Sequence, residues 1–282
     1  MPRIIGSICT IFLVTLCSIT PVYAQPLSQA TWNERIDLKV GDHLIQILGT
    51  DPNLPEPLTN STNEHGFDLT GSLAFGPPGP PQMTAHTEGR RDSTTQVSEA
   101  GATADGTVTF QIRLKEISTP PVSVMSVPVT IQAQGTATTE GSPSFCDPIC
   151  FYDVAATAQS TIRLGESGSI LNLTVTSTLG SVMPSAFDTT FTYSLAPGAI
   201  VDGSLEAIAH IGVELGAVED FAKATAFIDP QFVVSDELIP GTSSKYSDYY
   251  EIEYGAGYWA LGNPSPVNTT TWGKIKALYF KP

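Results

Sequence analysis

Three acidic residues in the last quarter of the sequence are its candidate metal ligands. Asp236, Glu237 and Asp248 lie in segments that read as loops, and loop carboxylates are oxygen ligands that Ca²⁺ prefers. The sequence contains no Asp-x-Asp-x-Asp-Gly calcium-binding loop. We therefore predict no cofactor, with Ca²⁺ as the candidate ion, and the missing motif favours the alternative that these acids are solvated turn residues.

A second group of candidate binding residues is aromatic. Residues 246–259 hold five of the nine tyrosines and a tryptophan. Strand alternation places Tyr250 and Tyr254 on one face and Tyr249 on the other. If Tyr249 and Trp259 are exposed, they form a stacking platform for sugar rings, which is a carbohydrate-binding function. The alternative is an aromatic strand without a ligand, whose tyrosines pack into the core.

Cys146 and Cys150 are separated by three residues. In an oxidising compartment two such cysteines form one disulfide, whose small loop adds only modest stability. A zinc site would need two further ligands, and a redox pair usually has two intervening residues. We therefore predict a structural disulfide, on the condition that the chain is exported.

The sequence contains no recognisable catalytic constellation, so no catalytic residue is predicted. The four histidines are isolated from one another and from cysteine, and neither a Gly-x-Ser-x-Gly elbow nor a phosphate-binding glycine loop occurs. Paired carboxylates of a glycoside hydrolase are brought together only by folding. An enzyme acting on glycans on a jelly-roll scaffold therefore stays the weaker alternative.

The elements that must position these residues are β-strands. In Asp105–Lys115, apolar residues alternate with Thr, Gln, Arg and Lys, which indicates a half-buried strand. The same alternation recurs along the chain between turn signals such as Asp202-Gly203. It is typical of antiparallel sheets and not of buried parallel strands. The sequence therefore predicts an all-β fold, an antiparallel β-sandwich of the jelly-roll or Ig-like kind, with little helix outside the signal peptide.

The first 24 residues have the form of a secretory signal peptide. Arg3 supplies the positive start, residues 8–16 the apolar stretch, and Ala24 the small residue before the cleavage site. We expect cleavage between Ala24 and Gln25 and a secreted, extracellular or periplasmic protein. We predict one β-sandwich domain over residues 25–262, least defined over 25–60, followed by a linker and short C-terminal tail over 263–282.

Composition limits the partners. The chain has 28 acidic and 13 basic residues, a formal net charge of −15, and only 15% charged residues. The apolar content excludes a disordered acidic tail, and the negative charge excludes nucleic acid as a partner. No segment after the signal approaches the length of a membrane span. The partner we predict is extracellular polysaccharide or matrix.

Two stretches resemble a group of exported bacterial proteins. They are the Pro-Val-rich strand over residues 127–133 with its Ala/Thr/Ser-rich continuation, and the Ala-rich approach to Ile-Asp-Pro-x-Phe over residues 222–232. Both are similar to strands of surface proteins sorted by exosortase, the PEP-CTERM group. The resemblance implies an exported β-rich protein and no shared catalytic residues. The sequence ends without that group's Pro-Glu-Pro motif, membrane span and basic cluster, so the resemblance does not imply sorting by that route.

Together these observations lead to a functional hypothesis. We predict an exported, non-enzymatic β-sandwich protein that is an extracellular or surface structural or adhesion component. The alternative is a carbohydrate-binding module that uses the aromatic segment 246–259.

Overall fold

The structure is a computed structural model. It describes residues 25–52, 56–75, 82–91, 99–141, 154–179, 185–214 and 221–256. Several sequence predictions lie outside these residues, namely the signal peptide over 1–24, the Cys146–Cys150 disulfide, Trp259, and the linker and tail over 263–282.

Nearly all of the regular structure is β-strand. Two single-turn 3₁₀ helices, Glu166–Gly168 and Tyr246–Asp248, are the helical elements of the described residues. The strands in chain order are β1 (Thr31–Val40), β2 (His43–Leu48), β3 (Leu58–Glu64), β4 (Phe67–Phe75), β5 (Met83–Arg91), β6 (Glu99–Glu116), β7 (Val127–Gly141), β8 (Val154–Leu164), β9 (Leu171–Thr178), β10 (Ser185–Leu195), β11 (Ile200–Glu214), β12 (Phe221–Val234) and β13 (Tyr250–Tyr254).

The strands form two antiparallel sheets packed face to face. Sheet A has the order β2-β1-β6-β11-β8-β9, and β13 pairs with β6 beyond the end of β1. Sheet B has the order β10-β7-β12-β5-β4-β3. Strands β11 and β12 lie in the middle of the two sheets although they come late in the chain. The predicted all-β antiparallel sandwich is confirmed, and the segment 25–60 supplies β1, β2 and the start of β3.

One half of the core is packed with small residues. The inner faces of β5, β6, β8, β11 and β12 carry Ala85, Ala102, Ala104, Ala156, Ala158, Ala207, Ala209, Ala224 and Ala226, all buried. Cα atoms of β11 come within 8 Å of Cα atoms of β5, and those of β12 within 8 Å of β8. Packed sheets usually lie about 10 Å apart. The alanines therefore allow an unusually close approach of the two sheets.

The other half of the core holds large side chains. Val108, Phe110 and Leu114 of β6 pack in the same buried cluster as Leu205 of β11 and Phe232 of β12. Phe110 and Phe232 face each other across the sheets with ring centroids 6.3 Å apart. Because every strand alternates, the residues between these inward positions form two polar outer faces.

Candidate binding cleft on the outer face of sheet A

An open cleft of about 380 Å³ crosses the outer face of sheet A. Its floor is formed by Thr109 and Gln111 of β6 and by Asp202 and Ser204 of β11. Register explains why these four side chains meet, because Thr109 lies opposite Ser204 and Gln111 lies opposite Asp202. All four stand in the outward phase of their strands, so the floor is polar.

Gln111 ties the floor to the wall on one side. Its side-chain Oε1 accepts a hydrogen bond from the main-chain N–H of Ser28 at 2.7 Å. Its Nε2 donates to Asp202 Oδ1 at 2.8 Å. The second carboxylate oxygen of Asp202 has no partner within the described structure. Gln111 therefore orients the Asp202 carboxylate and leaves one oxygen available to a ligand.

The opposite wall is the turn between β8 and β9. Gly165 and Gly168 lie in it with φ angles of 77° and 78°, values that favour glycine. The main-chain N–H of Gly165 donates to Asp202 O at 2.8 Å, which fixes the turn against β11. Arg163, at the end of β8, is exposed and lines the cleft. Its guanidinium makes no ion pair within the residues that the structure describes.

The chemistry of the cleft is that of a hydrogen-bonding surface. Hydroxyls of Thr109 and Ser204, the Asp202 carboxylate and the Arg163 guanidinium supply both donors and acceptors. Nothing in the sequence alone indicated this site, because Gln111, Arg163 and Asp202 are far apart in the chain. Alternation does predict that these three side chains lie on the outer faces of their strands. It does not predict which strands are neighbours.

The three predicted metal ligands lie together in the chain segment between β12 and β13. Asp236 accepts hydrogen bonds from Ser247 Oγ at 2.5 Å and from Lys245 Nζ at 3.4 Å. These two partners hold the pKa of Asp236 below its ordinary value. Asp248 Oδ2 accepts from the main-chain N–H of Lys245 at 3.0 Å. Glu237 is exposed.

Asp236 and Asp248 therefore both contact Lys245, the first through its side chain and the second through its main chain. Within the described ranges, no group of three or more His, Cys, Asp or Glu side chains could hold a metal ion. The segment is a turn in which carboxylates accept hydrogen bonds from protein groups.

The predicted sugar-stacking residue Tyr249 is half-buried and packs against the core. Its hydroxyl donates to Ser244 Oγ at 3.2 Å. Tyr250 is buried, as expected for the core-facing phase of β13. Tyr254 packs beside Phe232, with ring centroids 6.4 Å apart, and burial raises its pKa. Within this segment the described aromatic residues contribute to packing, and Trp259 lies outside the described residues.

Sequence reasoning missed a buried acid, Glu34, on the inner face of β1. The residue is only 3% exposed. Its Oε1 accepts a hydrogen bond from the main-chain N–H of Glu56 at 3.0 Å. Burial raises the pKa of Glu34 to about 7, and the nearby Glu56 carboxylate adds to the shift. The alternation in the sequence of β1 could have revealed this burial, because Glu34 lies on the same face as Trp32, Ile36 and Leu38.

No protein-family model matches the chain, and no curated protein matches it. Among the described residues, no helix is long and apolar enough to cross a membrane.

Proposed function

We propose that this protein is an exported, non-enzymatic β-sandwich that adheres to extracellular polysaccharide, at the cell surface or in the matrix. The observation that carries the proposal is the cleft on the outer face of sheet A. Its volume of about 380 Å³ falls in the range of small-molecule sites, about 300–1,000 Å³. Its hydroxyl, amide, carboxylate and guanidinium groups complement the hydroxyl groups of a sugar.

Each side chain of the cleft has a role in this proposal. The free oxygen of Asp202 accepts hydrogen bonds from sugar hydroxyls, and Arg163 donates to ring or hydroxyl oxygens from the opposite wall. Gln111 acts through Asp202 by holding its carboxylate in place. Because the cleft is open to solvent, we expect modest affinity at this single site.

The charge of the protein favours neutral polysaccharides. The chain carries a formal net charge of −15, so an acidic polymer is repelled at long range. Arg163 is one cation in the cleft and Asp202 one anion, so the lining itself is balanced. We therefore expect neutral polysaccharides to be retained more strongly than acidic ones at low salt.

The proposal is tested by affinity electrophoresis and pull-down of the mature chain with a panel of neutral and acidic polysaccharides. We expect Asp202→Ala and Arg163→Ala each to weaken binding about tenfold, the effect of losing a hydrogen bond to a charged group. Asp188→Ala is the matched control for the acid, because Asp188 is also exposed and paired with a glutamine, Gln134, but lies on sheet B. Arg90→Ala is the corresponding control for the arginine.

Two results would reject the cleft. One is that no polysaccharide of the panel is retained by the wild-type protein. The other is binding that survives Asp202→Ala and Arg163→Ala. Loss of binding in Tyr249→Ala with Trp259→Ala, combined with no effect of the cleft variants, would assign binding to the aromatic segment instead.

A further inference from the structure

Within the described residues, strand β2 has an unpaired edge. Among the described strands it pairs with β1 alone. The main-chain N–H of Gly49, directly after β2, donates to Glu34 O of β1 at 3.0 Å. Main-chain groups of successive residues point to opposite sides of a strand. The N–H and C=O groups of Leu44, Gln46 and Leu48 therefore point away from β1, toward the open edge.

This edge lacks the features that usually prevent pairing with another chain. Exposed edge strands normally carry lysine, proline, bulges or inward charges. From Leu44 to Leu48 the strand has no charged residue and no proline, and these two leucines are 54% and 52% exposed. The other edge strands, β3, β9, β10 and β13, expose mainly polar side chains, and the exception is Tyr193 of β10 at 39%. Among the edge strands that the structure describes, β2 thus carries the two most exposed large apolar side chains.

Five of the six residues of β2 form a symmetric sequence centred on Gln46. Residues 44–48 read Leu-Ile-Gln-Ile-Leu, the same in both directions. If two copies of β2 pair antiparallel about a two-fold axis at Gln46, Leu44 faces Leu48 and Ile45 faces Ile47. Gln46 then faces Gln46. Each side chain meets one of its own type, which is the self-complementarity that a two-fold interface requires.

We propose that β2 binds β2 of a second copy of this chain, antiparallel and centred on Gln46. In that register the outward N–H groups of Leu44, Gln46 and Leu48 each donate to a C=O group of the other copy, and the reverse bonds form as well. Sheet A of one copy and sheet A of the other then form one continuous sheet. The axis is perpendicular to this sheet, so the outer faces of both copies lie on the same side.

Charge does not oppose this contact at close range. In the proposed register Asp42 faces Thr50 and not another acid. Asp37, the β1 residue opposite Gln46, lies three strand spacings from its counterpart, about 14 Å. This distance exceeds the Debye length of about 8 Å at physiological ionic strength. Asp37 also contacts Arg35 within its own strand.

The first test measures the molecular mass of the mature chain by sedimentation at protein concentrations from about 1 µM to 1 mM. Dimers with small interfaces have dissociation constants in this range. We expect a concentration-dependent dimer. Leu44→Lys with Leu48→Lys places lysine opposite lysine twice and should give a monomer. Leu44→Glu with Leu48→Lys changes the same positions but places glutamate opposite lysine, and should remain a dimer. Circular dichroism and Tm confirm that both variants are folded.

These variants also separate the register from its alternatives. A parallel, in-register pairing would place like charges together in the Glu/Lys variant and dissociate it. A wild-type protein that is monomeric at every concentration overturns the proposal. Equal behaviour of the two variants overturns it as well, because only an antiparallel contact centred on Gln46 distinguishes them.

A second test locates the two-fold axis. Under mild oxidation Gln46→Cys should form an intermolecular disulfide, because residues facing each other in a hydrogen-bonded antiparallel pair have Cα atoms about 5.5 Å apart. Asp37→Cys, one strand further from the axis on the same face, is the matched control and should not cross-link. A dimer in which Gln46→Cys fails to cross-link rejects the register. The outcome is independent of polysaccharide binding.

Discussion

At the scale of single residues, the unusual side chains of this protein are polar groups on the inner faces of strands. Glu34 and Thr87 occupy positions that alternation assigns to the core, and both are buried. Glu34 has a main-chain hydrogen-bond donor at 3.0 Å from Glu56. Thr87 Oγ1 has no hydrogen-bond partner in the described structure. Each of these residues costs stability for a separate reason, and each reason predicts a measurable effect.

Glu34 should make the protein less stable as pH rises. Its pKa in the folded protein, about 7, lies above its ordinary value of 4.5, so the folded state holds the proton more tightly than the unfolded state. Stability is therefore full below pH 4.5 and falls through pH 7, by a total on the order of 3 kcal/mol. Glu34→Gln keeps the acceptor for the Glu56 N–H and removes the titration. Urea unfolding should show the variant gaining stability over wild type at pH 8 but not at pH 4.

The difference between the two proteins isolates Glu34 from other acids with raised pKa values, such as Asp105 and Asp229. These acids titrate equally in both proteins. A difference between variant and wild type that is the same at pH 4 and pH 8 would contradict the assignment.

Thr87→Val should stabilise the protein. Thr87 is 0% exposed, and an unsatisfied buried hydroxyl costs about 1–3 kcal/mol. Valine has nearly the same shape and no hydroxyl, so urea unfolding should show a gain of about 1 kcal/mol. Thr225→Val on the neighbouring strand is the control, because Thr225 Oγ1 is hydrogen-bonded to His86 Nδ1 at 2.9 Å. We expect no gain there, and a destabilised Thr87→Val would show that the hydroxyl is satisfied.

At the scale of elements, the short strand β13 depends on its neighbour more than on its own length. It pairs with the C-terminal end of β6, Ile112–Glu116, and its Tyr250 is buried. The main-chain N–H of Ala30 donates to Ala256 O at 2.7 Å, so the segment before β1 meets the end of β13. Two ion pairs, Arg113–Glu253 and Lys115–Glu251, join β13 to β6.

These two ion pairs should differ in strength. The Arg113 side chain is 13% exposed and that of Lys115 46%, so solvent screens the second pair more. Arg113 Nε also donates to Glu253 Oε2 at 2.7 Å, and its Nη1 donates to Gln25 O at 2.6 Å. We expect Arg113→Ala to cost about 2 kcal/mol and Lys115→Ala under about 1 kcal/mol in urea unfolding. Equal costs would show that burial does not distinguish the pairs.

At the scale of the whole molecule, the order of strands in space differs from their order in the chain. Strand β11 separates β6 from β8 in sheet A, and β12 separates β5 from β7 in sheet B. Neither sheet is continuous until this late part of the chain has been inserted. Because most pairings join distant segments, we expect folding on the millisecond-to-second scale typical of all-β sandwiches.

Hydrogen exchange should reveal this central position. Strands β11 and β12 each have a hydrogen-bonded neighbouring strand on both sides, so their amides should exchange only through global unfolding. Amides at the outer edges of β3 and β9 should exchange through local opening, at lower free energy. Mass spectrometry of peptides after exchange measures both. Exchange of β12 as fast as that of β3 would contradict the central role of β12.

Period-2 alternation in the sequence was sufficient for the fold class. It assigned Val108, Phe110 and Ile112 to the core and Thr109 and Gln111 to the surface, and the structure confirms both faces. The reason is local, because alternation follows from backbone geometry within one strand. The same rule applied to β1 would have placed Glu34 inside, although the free energy of burying a carboxylate argues against that position.

The neighbours of each strand were decided by the tertiary structure alone. Gln111 meets Asp202 and Arg163 joins them in one cleft because β11 inserts between β6 and β8, a pairing across about ninety residues. Alternation fixes which face a side chain occupies but carries no information about register between distant strands. The narrow alanine-lined half of the core arises in the same way, since it requires small residues of five strands to coincide. The sequence by itself therefore determined what kind of surface each strand presents, and only folding determined which surfaces meet.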